Sequence, residues 1–200
     1  MRFKNFLQEA TSTEEIQEKC QPFLEKSKGL PLYRGYGGMF SKFSLTSFRT
    51  VDVRKDRQPL DTSKHVHSLL DAYFQKRFGV KVRSEGLFTT GSKSGAALYG
   101  MPNYVFPVGE FKFIWGTYEG RGINDTISLT KQIERMLQLR KRADAASVTQ
   151  EMLDQVDWHE DDLPDAIKSS AEIAILVDKV ILVPAVSIKD GVSYKKVIDG

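Results

Sequence analysis

Apolar positions recur from end to end of the chain, with two different periods. After a short amphipathic stretch from Phe3 to Ala10, the capping-box pattern Ser12-Thr13-Glu14-Glu15 starts a helix. It carries Ile16, Cys20, Phe23 and Leu24 on one face, and Lys28-Gly29 with Pro31 marks its end. Leu32-Tyr33-Arg34 then reads as a short strand entering the flexible Gly35-Tyr36-Gly37-Gly38. Asp61 or Thr62 caps a further helix whose inward side is Val66, Leu69, Leu70, Tyr73 and Phe74, with Gly79 as its stop. Beyond Gly79 the texture changes. Val80 to Thr90 alternates as a strand, Ser92 to Tyr99 reads as a short helix, and Val105 to Trp115 is dense enough in Val, Phe and Ile to predict more strand. Thr126 to about Ala143 is the longest helical pattern, with Ile127, Ile133, Met136 and Leu137 inward, and a weaker helix runs from Thr149 to Val156. Two β-rich pieces, Glu172 to Leu176 and Lys179 to Val183, flank Val177-Asp178, and a final strand is expected near Tyr194 to Ile198. Helices come first, strands come late, and no regular βαβ alternation appears. The pattern predicts an α+β fold.

Composition narrows the function classes. The 200 residues are 40% hydrophobic and 10% aromatic, which argues against disorder and suffices for one substantial core. The single cysteine, Cys20, excludes an internal disulfide and a Cys-rich zinc site. No apolar run approaches the ~20 residues of a membrane span, and no signal-peptide core opens the chain, so a soluble intracellular protein is expected. Net charge is only +3, but its distribution is uneven. Residues 41–100 hold eleven Lys/Arg against five Asp/Glu, whereas residues 144–178 hold one Lys against ten Asp/Glu. Such polarity can steer a charged ligand, or simply be two solvated faces.

Three short stretches could carry chemistry. Leu32-Tyr33-Arg34-Gly35 places a cation at a strand end where glycine admits a close approach, and a guanidinium there can grip a phosphate or pair with a neighbouring acid. Gly86-Leu87-Phe88-Thr89-Thr90-Gly91-Ser92 brings hydroxyls to the end of a second strand, as ligands or as ordinary strand residues and a helix cap. Glu172 opens the apolar strand Ile173-Ala174-Ile175-Leu176, facing either a cleft or solvent.

In this order, the arginine, the hydroxyl strand and the strand-opening glutamate resemble ADP-ribosyltransferases of the arginine–serine–glutamate class. The short helix with Ala96, Ala97 and Tyr99, the apolar strand that follows it, and the paired strands at the end fit the same pattern, over roughly residues 30–185. The resemblance implies a split β-sheet core preceded by N-terminal helices, with residues 1–29 as a helical segment and 30–200 as the transferase-like domain. It implies NAD as co-substrate, no metal, and a macromolecular acceptor, either a host protein or a nucleic acid. Catalysis would fall to Arg34, Thr89, Thr90 and Glu172. NAD would be bound by Tyr33, Arg34, Gly35, Thr89 or Thr90 at the serine position, and Tyr99 as the aromatic stacking on nicotinamide. A carboxylate at Glu172 suits this chemistry, because loss of nicotinamide builds positive charge that it stabilises more in the transition state than in the ground state. Two departures stand out. Ser170 occupies the place where arginine-modifying members carry Gln or Glu, and Thr89-Thr90-Gly91 replaces the usual Ser-Thr-Ser. The first argues against arginine as acceptor; the second preserves a hydroxyl but also fits a scaffold without catalysis.

Other motifs are weaker. His65 and His67 point about 200° apart on a helix, which disfavours shared metal ligation. His159-Glu160-Asp161-Asp162 lacks the spacing of a calcium loop. Arg140-Lys141-Arg142 complements a helix dipole, or with the basic segment attracts nucleic acid. The opening residues, with Leu7-Gln8-Glu9, resemble the head-targeting segments and protease sites of tailed-phage virion proteins. That implies packaging in a phage head and delivery to a host cytoplasm. It also supports the alternative of a non-catalytic phage structural or interaction protein.

Overall fold

The computed structural model describes residues 13–37, 48–59, 62–123, 126–140, 144–185 and 194–199. The expected segment Phe3 to Ala10 and the residues Gly38, Asp61, Lys141 and Arg142 lie outside them. Helices α1 (Thr13–Lys19) and α2 (Gln21–Ser27) open the fold, followed by strands β1 (Tyr33–Tyr36) and β2 (Arg49–Asp52). Then come α3 (Lys64–Phe78), α4 (Val82–Glu85), β3 (Leu87–Thr90), α5 (Lys93–Ala97), β4 (Met101–Pro107), β5 (Lys112–Tyr118) and β6 (Arg121–Gly122). The chain continues through α6 (Thr126–Leu139), α7 (Ala145–Leu153), β7 (Asp157–His159), α8 (Leu163–Lys168), β8 (Glu172–Leu176), β9 (Lys179–Pro184) and α9 (Tyr194–Asp199). The α+β class is as expected. No described helix is long and apolar enough to cross a membrane.

The strands form one antiparallel sheet in the order β2-β9-β4-β1-β3-β8-β5-β6, with β7 also on β5. Pairing is extensive on both sides of β1 and β3, but these two strands meet at a single position, Tyr33 opposite Thr90. In the β3–β8–β5 half, alternation sorts side chains to two faces. Leu87, Ile173, Ile175 and Phe113 join one core with Phe23 of α2 and Ile167 of α8. Phe88, Ala174 and Ile114 join a second core with Leu70 and Phe74 of α3, Ile133 of α6 and Leu153 of α7. Helices cover both faces, so β8 reads as a continuous apolar run. Ile16 and Cys20 of α1–α2 are fully buried in the first core, together with strand residues of the sheet.

Several expected elements are corrected. The first helix is two, because Pro22 has no N–H to continue the ladder and a new helix starts behind Cys20. The cap of α3 is Ser63, whose side chain accepts from the Val66 N–H. Val80 to Thr90 is not one strand: Val82–Glu85 turns into α4 because the Asp71 carboxylate of α3 accepts the Arg83 and Ser84 N–H groups, at 2.8 and 3.2 Å. Val105 to Trp115 is two strands joined by a turn at Gly109. Tyr194 to Ile198 is helix, not strand, its Tyr194 ring stacked on Phe106. Tight backbone approaches fix the parts near the candidate residues. A Cβ on Gly35 would lie 2.1 Å from the Ala96 carbonyl oxygen, and one on Gly91 would lie 1.9 Å from that of Ile167. These glycines let α5 rest on β1 and α8 rest on the end of β3.

Candidate functional site

The register of β3 on β8 sets Thr90 opposite Glu172 and Thr89 opposite Ile173. Residues opposite one another in an antiparallel pair share a face, so Thr90 and Glu172 project together, alongside Phe88 and Ala174. Thr89 takes the other face, buried, with its hydroxyl donating to the Ile173 carbonyl at 3.0 Å. Thr90 holds the local backbone instead. Its hydroxyl donates to the Ser170 carbonyl at 3.1 Å and accepts from the Ser92 N–H at 3.1 Å, tying the end of β3 to the turn that leads into Glu172. That turn is tight, with Ser170 at φ 58°. The Glu172 N–H is pinned to the Ile123 carbonyl at 2.7 Å.

Arg34 arrives from β1, the next strand across. Its Nη1 donates to the Phe88 carbonyl, which carries the guanidinium over the β1–β3 seam toward β8. It also lies over the Tyr36 ring, 5.4 Å from the centroid. Of the remaining expected residues, Tyr33 packs on Tyr104, ring centroids 5.3 Å apart, and burial pushes its phenol up to about 12. Gly35 is the close contact with α5. Tyr99, just beyond α5, is 58% exposed. The β3–β8 register therefore places Thr90 beside Glu172, and Arg34 joins β3 from the adjacent strand through the Phe88 carbonyl, with Gly35 and α5 beside it.

Four contributors were not singled out from the sequence: Arg57, Arg83, Phe88 and Thr126. Thr126 Oγ1 donates to Glu172 Oε1 and accepts from Arg83 Nη1 at 2.9 Å, so a hydroxyl links a cation to the carboxylate. The Arg83 and Arg57 guanidiniums lie over the Phe88 ring at 4.9 and 5.1 Å. Arg57 Nη1 donates to the Gly86 carbonyl at 2.8 Å, and its backbone N–H reaches the Ser84 carbonyl at 3.2 Å. Burial, then Arg34 and Arg83, pull the Arg57 pKa down to about 10, and Glu172 works in the opposite direction. The buried Nε atoms of Arg34 and Arg83 have no hydrogen-bond partner among the described residues. A cavity of about 20 Å³, room for about one water, lies beside Glu172 and is lined by Arg83, Phe88, Thr126 and Trp158. A dinucleotide is too large for it and would lie outside. The basic surplus of residues 41–100 was the available signal for Arg57 and Arg83.

The other motifs take structural places. His65 is exposed and His67 buried on α3, facing apart. Trp115 stacks on His159 and donates to the Asp161 carbonyl at 2.8 Å, so the acidic loop anchors β5. Arg140 pairs with Glu151 of α7 at 2.6 Å. Glu110 pairs with Lys26 of α2 at 3.3 Å, and Glu119 sits in the β5–β6 turn at φ 50°; neither shares the strand ends that carry Arg34 and Glu172. Burial pushes the Cys20 thiol up to about 12, leaving it protonated. No family model, curated protein or solved structure matches the chain.

Proposed function

We propose that the chain is a mono-ADP-ribosyltransferase, moving ADP-ribose from NAD to a macromolecular acceptor with release of nicotinamide. One observation carries the reading: β1, β3 and β8 are neighbours, the β3–β8 register sets Thr90 beside Glu172, and Arg34 of β1 donates across the seam to the Phe88 carbonyl of β3. The near-parting of the sheet between β1 and β3 supports a split-sheet core of the kind such transferases have. NAD supplies the ribosyl carbon whose bond to nicotinamide breaks. Glu172, oriented by Thr126, stabilises the positive charge that builds there. Arg34 presents a guanidinium suited to the diphosphate. Thr90 fixes the turn before Glu172, which makes it the better candidate of the two threonines for the serine position. What supports the dinucleotide is the positive seam formed by Arg34, Arg57 and Arg83, whose charges act on one another; Gly35 is taken up by the α5 backbone and serves packing instead.

The test is incubation of labelled NAD with the chain and a bacterial lysate. Wild type should transfer label, and Glu172→Gln should lose transfer and NAD hydrolysis by roughly a hundredfold or more. Equal turnover by a folded Glu172→Gln variant would remove Glu172 from the chemistry. A wild-type chain that neither transfers label nor binds NAD would favour the non-catalytic interaction protein instead.

A further inference from the structure

On the transferase reading above, we infer that Arg57 and Arg83, lying over Phe88 beside Glu172, form a phosphate-binding subsite distinct from the expected arginine, threonine and glutamate. Three guanidiniums converge on one residue: Arg34 on its carbonyl, Arg57 and Arg83 on its ring. Arg57 feels both others as repulsion, and the carboxylate that offsets them at Arg57 is Glu172. Asp71 stands nearby but is consumed by the α4 N–H groups and by Ser84, and Arg54 is matched by Asp56 at 3.5 Å. Among the described residues, half-buried cations here outnumber the acids beside them, an arrangement held at an energetic cost that a bound anion removes.

The anchoring favours phosphate. Arg34, Arg57 and Arg83 each spend a guanidinium N–H on the protein, on the Phe88 carbonyl, the Gly86 carbonyl and the Thr126 hydroxyl. Each fork is thus oriented before any ligand arrives, which lowers the ordering cost of binding. A phosphate offers up to two charges and several acceptor oxygens to several forks, where a carboxylate satisfies one. Two sources share that chemistry: the diphosphate of the dinucleotide and a phosphate of the acceptor.

Calorimetric titration of the full chain with inorganic pyrophosphate, ADP-ribose, and a short oligonucleotide with and without its 5′-phosphate tests this. Wild type should bind pyrophosphate, and Arg57→Gln and Arg83→Gln should each weaken it roughly ten- to hundredfold, with folding checked by thermal melting. A matching loss with ADP-ribose assigns the subsite to the dinucleotide; a loss confined to the phosphorylated oligonucleotide assigns it to the acceptor. Unchanged pyrophosphate affinity in folded Arg57→Gln, or no binding by wild type, overturns the subsite. Pyrophosphate binding that depends on Arg57 in a chain that turns over no NAD keeps the subsite and retires the transferase reading.

Discussion

Arg83 and Ser84 are neighbours on α4, yet they enter two polar clusters of opposite character. Around Ser84 the groups close on one another. Asp71 accepts the Arg83 and Ser84 N–H groups and the Ser84 hydroxyl, and His67 Nε2 lies 3.1 Å from that same hydroxyl. Serine, histidine and aspartate suggest a hydrolase relay, but the wiring is wrong for one: the carboxylate holds the serine directly, and His67 Nδ1 has no partner among the described residues. Around Arg83 the groups stay open. Its side chain reaches Thr126, the Phe88 ring and, through Thr126, Glu172, in company with Arg34 and Arg57. Residue type does not separate a structural cluster from a binding one. What separates them is charge: Asp71 is taken up by neighbouring N–H and O–H groups, whereas among the described residues Arg34, Arg57 and Arg83 share one nearby carboxylate, Glu172.

The largest effect expected on stability is in the closed cluster. Asp71→Ala strands two backbone donors and a hydroxyl in a half-buried pocket and removes the cap that bends Val82–Glu85 into a helix. A loss of about 2–4 kcal/mol is expected by denaturant unfolding, because several unsatisfied groups are left at once. A change below about 1 kcal/mol would mean that the cluster is not what holds α4 to α3.

Arg34→Lys attacks the open cluster. Lysine keeps the charge but loses the fork, so NAD affinity should fall by about 1–3 kcal/mol, roughly ten- to hundredfold, while stability falls by less than about 1.5 kcal/mol. Calorimetry and unfolding on the same preparation give both numbers. Equal NAD affinity in the two proteins would return Arg34 to a bridging role across the seam. A stability loss as large as that of Asp71→Ala would erase the contrast between the clusters.

That contrast was only half legible in the sequence. Caps and periodicity marked α3, α5, β8 and β9 because their signals are local: Gly79 at a helix end, Ser92 on the Gly95 N–H, apolar runs bounded by polar residues. Arg34, Thr90 and Glu172 stood out as residues at strand ends. The adjacency of Thr90 and Glu172 depends on the β3–β8 register, and Arg34 joins β3 across the β1–β3 seam; no local signal fixes either. Residues 80–90 alternate convincingly as strand, and Asp71, eleven or more positions earlier, helps convert part of them to helix by accepting the Arg83 and Ser84 N–H groups. Arg57 and Arg83 look like any surface arginines until the chain segment after β2 packs on α4 and lays both over Phe88. Tertiary contacts chose between local options that the sequence left equally open.

The smallest effect is a pH dependence, and it also belongs to the closed cluster. Burial lowers the His67 pKa from 6.5, with Arg83 and Arg57 adding to the shift and Asp71 opposing it. The hydrogen bonds give a reason. Ser84 gives its proton to Asp71, so His67 Nε2 donates to the hydroxyl, and a second proton would land on buried Nδ1, which has no acceptor among the described residues. With the folded pKa below the unfolded one, the unfolded chain binds more protons as pH falls. Stability is therefore full above about pH 7 and declines below about 6.5. The decline cannot exceed about 1.4 kcal/mol per pH unit for one group. Unfolding wild type and His67→Gln at pH 7 and pH 5 isolates the contribution, because glutamine can still reach the Ser84 hydroxyl without titrating. Wild type should lose more stability than the variant over that interval. An equal loss in both would place the acid sensitivity elsewhere, and a smaller loss in wild type would mean that Asp71 stabilises an imidazolium in the folded state.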